Sequence, residues 1–237
     1  MKVTAIIPSR FESKRFPGKA LADIQGTTMI QRVYEQVQKS TLIDNVYVAT
    51  DSDAIRASIN EIDGNVIMTS EKCSSGTDRV AEAARTLKLV ENDVVVNIQG
   101  DQPFLQPECL NDLLQAFLKQ PGLSMGTLAY GIKNNDEIND PNNVKVIFDK
   151  DNFAIYFSRA KIPFNRDNTQ NILYYKHIGI YAYSNSFLQT FTTLPDSSLE
   201  HVEKLEQLRV IEGGHKIQVT VTKYDSHSID DPADLKT

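Results

Sequence analysis

Apolar positions along the first half of the chain keep switching between two rhythms. Val3–Ile7 is a short β-branched run, and a stretch rich in Arg, Lys, Pro and Gly follows it before Met29, Ile30, Val33 and Val37 recur at helical spacing. The alternation repeats, with Val46–Ala49 before a helix from Ser52, Val66–Met68 before one from Thr77, and Val94–Ile98 before one near Pro107. Asp51 or Ser52 can cap the second helix and Thr77 the third, and Pro107 suits the first turn of the fourth. Strands alternating with helices predict right-handed βαβ units, hence an α/β fold with a mostly parallel central sheet flanked by helices. From Ser124 the texture changes. Met125–Tyr130, Val144–Phe148, Ala154–Ser158, Ile178–Tyr183 and Ile217–Val221 read as strands, and an amphipathic helix is expected with Leu199, Val202, Leu205, Leu208 and Ile211 on one side, ending at Gly213–Gly214. The expectation is a single domain over 1–237, a nucleotide-type layer in 1–123 and a mixed α+β elaboration in 124–237. The polar stretch Asn165–Asn171 reads as a loop.

Composition narrows the classes. Apolar residues make up 41% of the 237, and no run approaches the ~18 apolar residues of a membrane helix, so a membrane partner is not expected. A net charge of −6 argues against a nucleic-acid partner, which leaves a basic footprint, but allows a small anion wherever cations cluster. Cys73 and Cys109 belong to no CxxC or CxxH pattern and read as buried hydrophobes in a reducing compartment. The N-terminal apolar run stops at Pro8, too short for a signal-peptide core, and a cytoplasmic location is expected.

Cations do cluster, at Arg10, Lys14, Arg15 and Lys19 in the loop Pro8–Lys19 directly after the first strand. Ligands of open α/β sheets bind beyond the carboxyl ends of strands, where such a loop can grip a triphosphate; a solvated charged loop is the plain alternative. It is no Walker A loop, because Gly18 is its only glycine and Ala20 follows Lys19, and no GxGxxG fingerprint occurs. Asn97-Ile-Gln99-Gly100-Asp101 ends a buried-type strand in a carboxylate that is either a Mg²⁺ ligand or a turn aspartate. A metal would ask for a second carboxylate, and Asp230 and Asp231 supply candidates, one for the ion and one to cap a terminal helix. Ser74-Ser75-Gly76-Thr77-Asp78-Arg79 can bind an anion or a base edge at a helix start, or simply cap the helix. Asp51-Ser52-Asp53 is a literal DxD, a metal motif or a helix cap. Glu200, Glu203 and Glu206 recur as on a solvated helix face, and His201 and His215 read as surface or packing residues.

Taken in order, SRx(4)RxPGK, SGTDR, NxQGDxP, NxVKVxxD, YFSRAxIP, KHxGIYxY, LEQLR and a final IDxPxDL closely resemble the signature of the 3-deoxy-manno-octulosonate cytidylyltransferases, or CMP-KDO synthetases, over essentially the whole chain. The resemblance implies a Rossmann-like nucleotide-diphospho-sugar transferase fold and a homodimer, with Ile155–Phe157 and Ile178–Tyr183 as interface strands. It implies transfer of CMP from CTP to an eight-carbon sugar acid (KDO), with release of pyrophosphate, for lipopolysaccharide synthesis. Arg10, Arg15 and Lys19 would grip the triphosphate; Pro8, Ser75, Gly76, Arg79 and Gln99 would form the nucleotide pocket; Asp101 and Asp230 would hold Mg²⁺. Lys19, Asp101 and Asp230 would be the catalytic set, and Arg159, His177, Tyr181, Glu206 and Gln207 would meet the sugar acid. In-line displacement at phosphorus needs positioning and charge neutralisation rather than a nucleophilic side chain. Two alternatives remain at this point: the same reaction on the 8-amino analogue of KDO, and a DxD glycosyltransferase that consumes a preformed sugar nucleotide and releases no pyrophosphate. A non-catalytic nucleotide-binding protein should have lost a metal ligand or a phosphate cation, yet Arg10, Lys19, Asp101 and Asp230 are all present.

Overall fold

The computed structural model describes residues 1–12, 16–167, 172–226, 228–229 and 231–236. Arg15, Asp230 and positions 168–171 of the expected loop lie outside the described residues.

The expected strands form one mixed nine-stranded sheet. Strands β1 (Val3–Ser9), β4 (Asn45–Thr50), β5 (Val66–Met68), β6 (Val94–Asn97), β7 (Met125–Gly131), β10 (Tyr175–Ser184) and β11 (Gln218–Thr222) run in the order β11-β7-β10-β6-β1-β4-β5, with β2 (Asp23–Ile24) and β3 (Thr27–Thr28) as a separate hairpin. Along that path every pairing is parallel except those of β10, which runs antiparallel to both β6 and β7 and joins the two halves of the chain. β8 (Lys145–Phe148) extends from β10, and β9 (Ala154–Ser158) pairs with β8.

Alternation along the central strands explains the two cores. Val94 and Val96 point with Ala5 and Ile7 into one cluster, where α1 (Met29–Gln38), α2 (Asp53–Asn60) and α4 (Pro107–Lys119) bury Ile30, Val33, Ile55, Ile59, Leu110 and Leu113. Val95 and Ile6 point the other way, into a cluster with Val80 and Ala84 of α3 (Gly76–Thr86), Leu188 and Phe191 of α6 (Asn185–Phe191) and Leu208 of α8 (Leu208–Glu212). A strand covered on both faces reads as an unbroken apolar run, which is the pattern these strands show.

Three expectations need correction. Ser75 rather than Thr77 caps α3, accepting from the Asp78 amide, and Thr77 is buried in the first turn. The segment 199–211 is not one helix: α7 (Ser198–Glu203) stops at Lys204, whose backbone is left-handed (φ 56°), and α8 restarts at Leu208. Val202, expected on the buried side, is 81% exposed. Of the two expected interface strands, β10 buries Ile178, Ile180 and Tyr183 inside the chain and leaves Gly179 and Tyr181 half-buried, whereas Ile155 on the outer strand β9 is 54% exposed. The short helix α5 (Asn135–Asn139), α6 and the β2–β3 hairpin carried no clear apolar period in the sequence.

Candidate active site

The sheet order reverses beside β1, which has β4 on one side and β6 on the other, and a crevice forms beyond the carboxyl ends of β1 and β6. Two glycines let the backbones close up there. A Cβ on Gly76 would stand 3.4 Å from Pro8 Cγ, and one on Gly100 would stand 3.4 Å from the Pro8 carbonyl oxygen. Pro8, the α3 N-terminus and Gln99–Asp101 thus form one floor. Pro8, Arg10, Lys19, Gln99, Gly100 and Asp101 line a cavity of about 180 Å³, which shares Arg10 and Glu12 with a larger cleft of about 1090 Å³ walled by Asp51, Ser52 and Glu71.

Gly18, at φ 71°, turns the loop back into a short 3₁₀ turn at Lys19–Leu21, and its amide donates to the Phe11 carbonyl. The turn delivers Lys19 Nζ to Asp101 Oδ2 at 2.8 Å. The Ile229 amide donates to the Asp101 carbonyl at 2.9 Å, so the chain immediately before Asp230 is anchored at Asp101. Among the described residues no three His, Cys, Asp or Glu side chains gather into a metal cage. A lone carboxylate at the rim of a phosphate-sized cavity fits Mg²⁺, which keeps several waters and takes other oxygens from substrate phosphates.

On the nucleotide side, Arg10 Nη2 donates to the Cys73 carbonyl at 2.6 Å, tying the cationic loop to the α3 entry. There the Ser75 and Asp78 side chains complete a capping box. Arg79, expected in the pocket, is fully buried, and its guanidinium is taken by Asp51 and Thr69. The DxD resolves with it: Asp51 pairs with Arg79, Ser52 caps α2, and Asp53 pairs with Arg56 at 3.0 Å. At the chain end Asp231 Oδ1 accepts from the Ala233 amide and caps the 3₁₀ turn Pro232–Lys236.

The break at Lys204 redirects the chain ahead of Glu206. It lets Glu206 turn toward α3, where Thr77 Oγ1 donates to Glu206 Oε2 at 2.7 Å; burial raises the Glu206 pKa against hydrogen bonds from the Thr77 and Ser75 hydroxyls. Gln207 is buried with its Nε2 unpaired. Burial also raises the Tyr181 pKa, with the Glu206 charge adding to it, so Tyr181 stays a neutral donor. His177 packs between Phe157 and Tyr181, at ring distances of 4.9 and 5.5 Å. Arg159 is held at the end of β9: Nε donates to the Glu203 carbonyl at 2.8 Å and Nη1 to the Pro141 carbonyl at 3.0 Å.

Thr127, which the sequence did not single out, fixes the His177 tautomer. Its one hydroxyl proton goes to the Ile180 carbonyl at 2.8 Å, or to that of Ile178 at 3.3 Å, so Oγ1 must accept from His177 Nε2–H at 2.9 Å. Nδ1 is then an acceptor. The carbonyls converge because β10 bulges at Gly179–Ile180, where its register against β7 shifts. Burial pushes the His177 pKa down to about 3. Below the ordinary value near 6.5 the unfolded chain takes up a proton that the folded ring refuses, so stability is lost as pH falls from about 6.5 toward 3. Thermal unfolding across that window should show His177→Asn losing less stability than wild type; an identical slope would refute a neutral buried ring.

The family profile described as "Cytidylyltransferase" matches residues 4–217. The chain is 50% identical over 235 residues to a 3-deoxy-manno-octulosonate cytidylyltransferase of Desulfosudis oleivorans, covering 99% of this chain and 95% of that one. It is 47% identical over 237 residues to an 8-amino-3,8-dideoxy-manno-octulosonate cytidylyltransferase of Shewanella baltica, covering 100% and 96%. A solved CMP:2-keto-3-deoxy-manno-octonic acid synthetase complexed with CTP superposes with a TM-score of 0.93 at 38% identity, over 100% of this chain and 96% of that one. Profile, relatives and superposition agree, and the chain belongs to the cytidylyltransferase family, in the branch of the octulosonate-activating enzymes.

Proposed function

We propose that the chain transfers CMP from CTP to 3-deoxy-D-manno-octulosonate, giving CMP-KDO and pyrophosphate for lipopolysaccharide synthesis. The observation that carries this reading is that Gly76, packed on Pro8 of the cavity lined by Arg10, Lys19 and Asp101, is followed by Thr77, whose hydroxyl is bonded to Glu206. Two substrates that must react with each other need adjoining pockets, and in this reading the Thr77–Glu206 hydrogen bond links them. The anomeric hydroxyl of the sugar attacks the α-phosphorus of CTP, and the bond to the pyrophosphate oxygen breaks. Arg10 and Lys19 neutralise charge on the phosphates, joined in this reading by Arg15. Pro8, Gln99 and the α3 entry at Ser75–Gly76 hold the nucleoside. Asp101 and Asp230 would hold Mg²⁺, which when bound neutralises phosphate charge and lowers the pKa of a bound hydroxyl. His177 Nδ1 accepts from a sugar hydroxyl, Tyr181 donates to one, Glu206 and Gln207 fix the ring, and Arg159 faces the acid.

The acceptor favoured is KDO, with the 8-amino sugar as second reading, because relatives of both kinds stand near 50% identity. Ile155, Phe164 (84% exposed) and Leu173 suit a homodimer built on the β9 side. The two buried free cysteines suit the cytoplasm, and no described helix is long and apolar enough to cross a membrane.

The test is pyrophosphate release with CTP, UTP, ATP or GTP against KDO, its 8-amino analogue and N-acetylneuraminate, with Mg²⁺ or EDTA, on a preparation whose mass is read by light scattering. Release is expected with CTP and KDO alone, abolished by EDTA, from a particle of twice the chain mass. Preference for the amino sugar would move the reading to the second acceptor, a monomer mass would end the dimer reading, and no release with any pair would end the whole proposal.

A further inference from the structure

Lys145 is among the largest fully buried side chains, with the charges of Asp140 and Glu203 acting on it. Nζ donates to two backbone carbonyls, of Asp140 at 2.9 Å and of Asn143 at 2.5 Å. A buried ammonium is costly unless fully engaged: burial lowers its pKa, the Asp140 charge opposes that, and Arg159 lowers it while Glu203 raises it to a smaller extent. What it engages is a turn. Asp140 Oδ1 accepts from the Asn142 amide at 2.8 Å, and the Asn143 amide donates back to the Asp140 carbonyl at 3.2 Å. The carbonyl left at the centre of that turn, Pro141, receives Arg159 Nη1 at 3.0 Å.

Lys145 also lies in register with Ser158, the residue before Arg159. Ser158 Oγ and the Arg159 amide both donate to the Glu203 carboxylate, at 2.6 and 2.9 Å, and Arg159 Nε donates to the Glu203 carbonyl. The guanidinium therefore has two fixed points, Glu203 at the helix break and Pro141 on the turn. Lys145 pins the turn from beneath on both sides of Pro141.

We infer that Lys145 is a positioning residue for the acceptor site, setting the aim of Arg159 through the carbonyls of the 140–143 turn. This rests on the reading that Arg159 meets the sugar acid. Lysine suits the task because its compact ammonium carries three rotatable donors, enough to hold both carbonyls in the small space left beneath the turn. The hydrogen bonds described for this arrangement run among the 140–143 turn, Lys145, Ser158, Arg159 and Glu203, so its influence is expected on the acceptor.

The experiment is steady-state kinetics with CTP and 3-deoxy-D-manno-octulosonate on Lys145→Met, Arg159→Met, the double variant, and Asp140→Ala. Asp140→Ala loosens the same turn from its half-exposed side should Lys145→Met fail to fold. Lys145→Met should raise the KM for the sugar acid by roughly tenfold or more while the KM for CTP stays within about twofold, and it should add almost nothing in the Arg159→Met background. Asp140→Ala should move the same constant in the same direction by less. An unchanged sugar-acid KM in a folded Lys145→Met, or in Asp140→Ala if that variant alone folds, overturns the inference, as does an effect that adds fully to Arg159→Met. If Arg159→Met itself leaves the sugar-acid KM unmoved, the underlying reading of Arg159 fails instead.

Discussion

Asp101→Asn should lower kcat by about 10²–10³-fold or more while leaving the fold almost untouched. The change keeps the shape of the side chain and removes one negative charge at the mouth of the phosphate cavity. In the wild type that charge does two things: it pairs with Lys19 at 2.8 Å, and in the proposed function it meets the metal. Neither carries much folding energy, since the Asp101 side chain is 27% exposed and a pair near the surface is worth about 0–1 kcal/mol. The Asp101 backbone, by contrast, is structural, because its carbonyl receives the Ile229 amide, and the substitution leaves that bond intact. The expected signature is a loss in kcat and in kcat/KM of similar size with Tm within a few degrees of wild type, as for an interaction realised mainly in the transition state. Binding of Mg²⁺ in the presence of CTP, followed by calorimetry, should weaken in parallel. Wild-type turnover in this variant would sink the metal assignment.

Much of the frame could be read from apolar spacing because the central strands are buried on both faces, and burial on both faces leaves an uninterrupted mark. The cationic loop and NIQGD were visible for a different reason: charge and glycine at the end of a strand are costly without a purpose, and the crevice beyond β1 and β6 supplies one. What stayed hidden depended on a partner distant in sequence. The run Leu199–Ile211 carries a good helical period, but the period does not register that Lys204 can enter the left-handed region and free Glu206 to reach Thr77, over a hundred positions earlier. Thr127 looks like any strand threonine until the bulge in β10 brings the Ile178 and Ile180 carbonyls to its hydroxyl. The strand of Ile178–Tyr183 was legible as a strand, but its place between β6 and β7, antiparallel to both, is a property of the topology.

Arg79 shows the same limit, and it yields the largest expected change in stability. Asp51→Ala should lower the stability by about 3–5 kcal/mol, because it leaves a fully buried guanidinium without its counter-charge. For a chain of this size that corresponds to a fall in Tm on the order of 10 °C. Arg79→Met should cost less, since the carboxylate it leaves behind is 17% exposed and can be hydrated, whereas the buried cation cannot. The double variant Asp51→Ala/Arg79→Met should therefore recover much of what Asp51→Ala alone loses, with a coupling measurable by thermal denaturation. The comparison also decides between the two readings of the DxD. A metal-binding Asp51 would abolish turnover in the alanine variant at unchanged Tm, and its loss could not be repaired by removing Arg79. A structural Asp51 gives the opposite pattern, a lower Tm with turnover largely retained wherever the protein is folded, and restoration in the double variant. The geometry favours the second outcome, because Asp51, Ser52 and Asp53 are each already engaged by Arg79, by the amide of Ile55 and by Arg56.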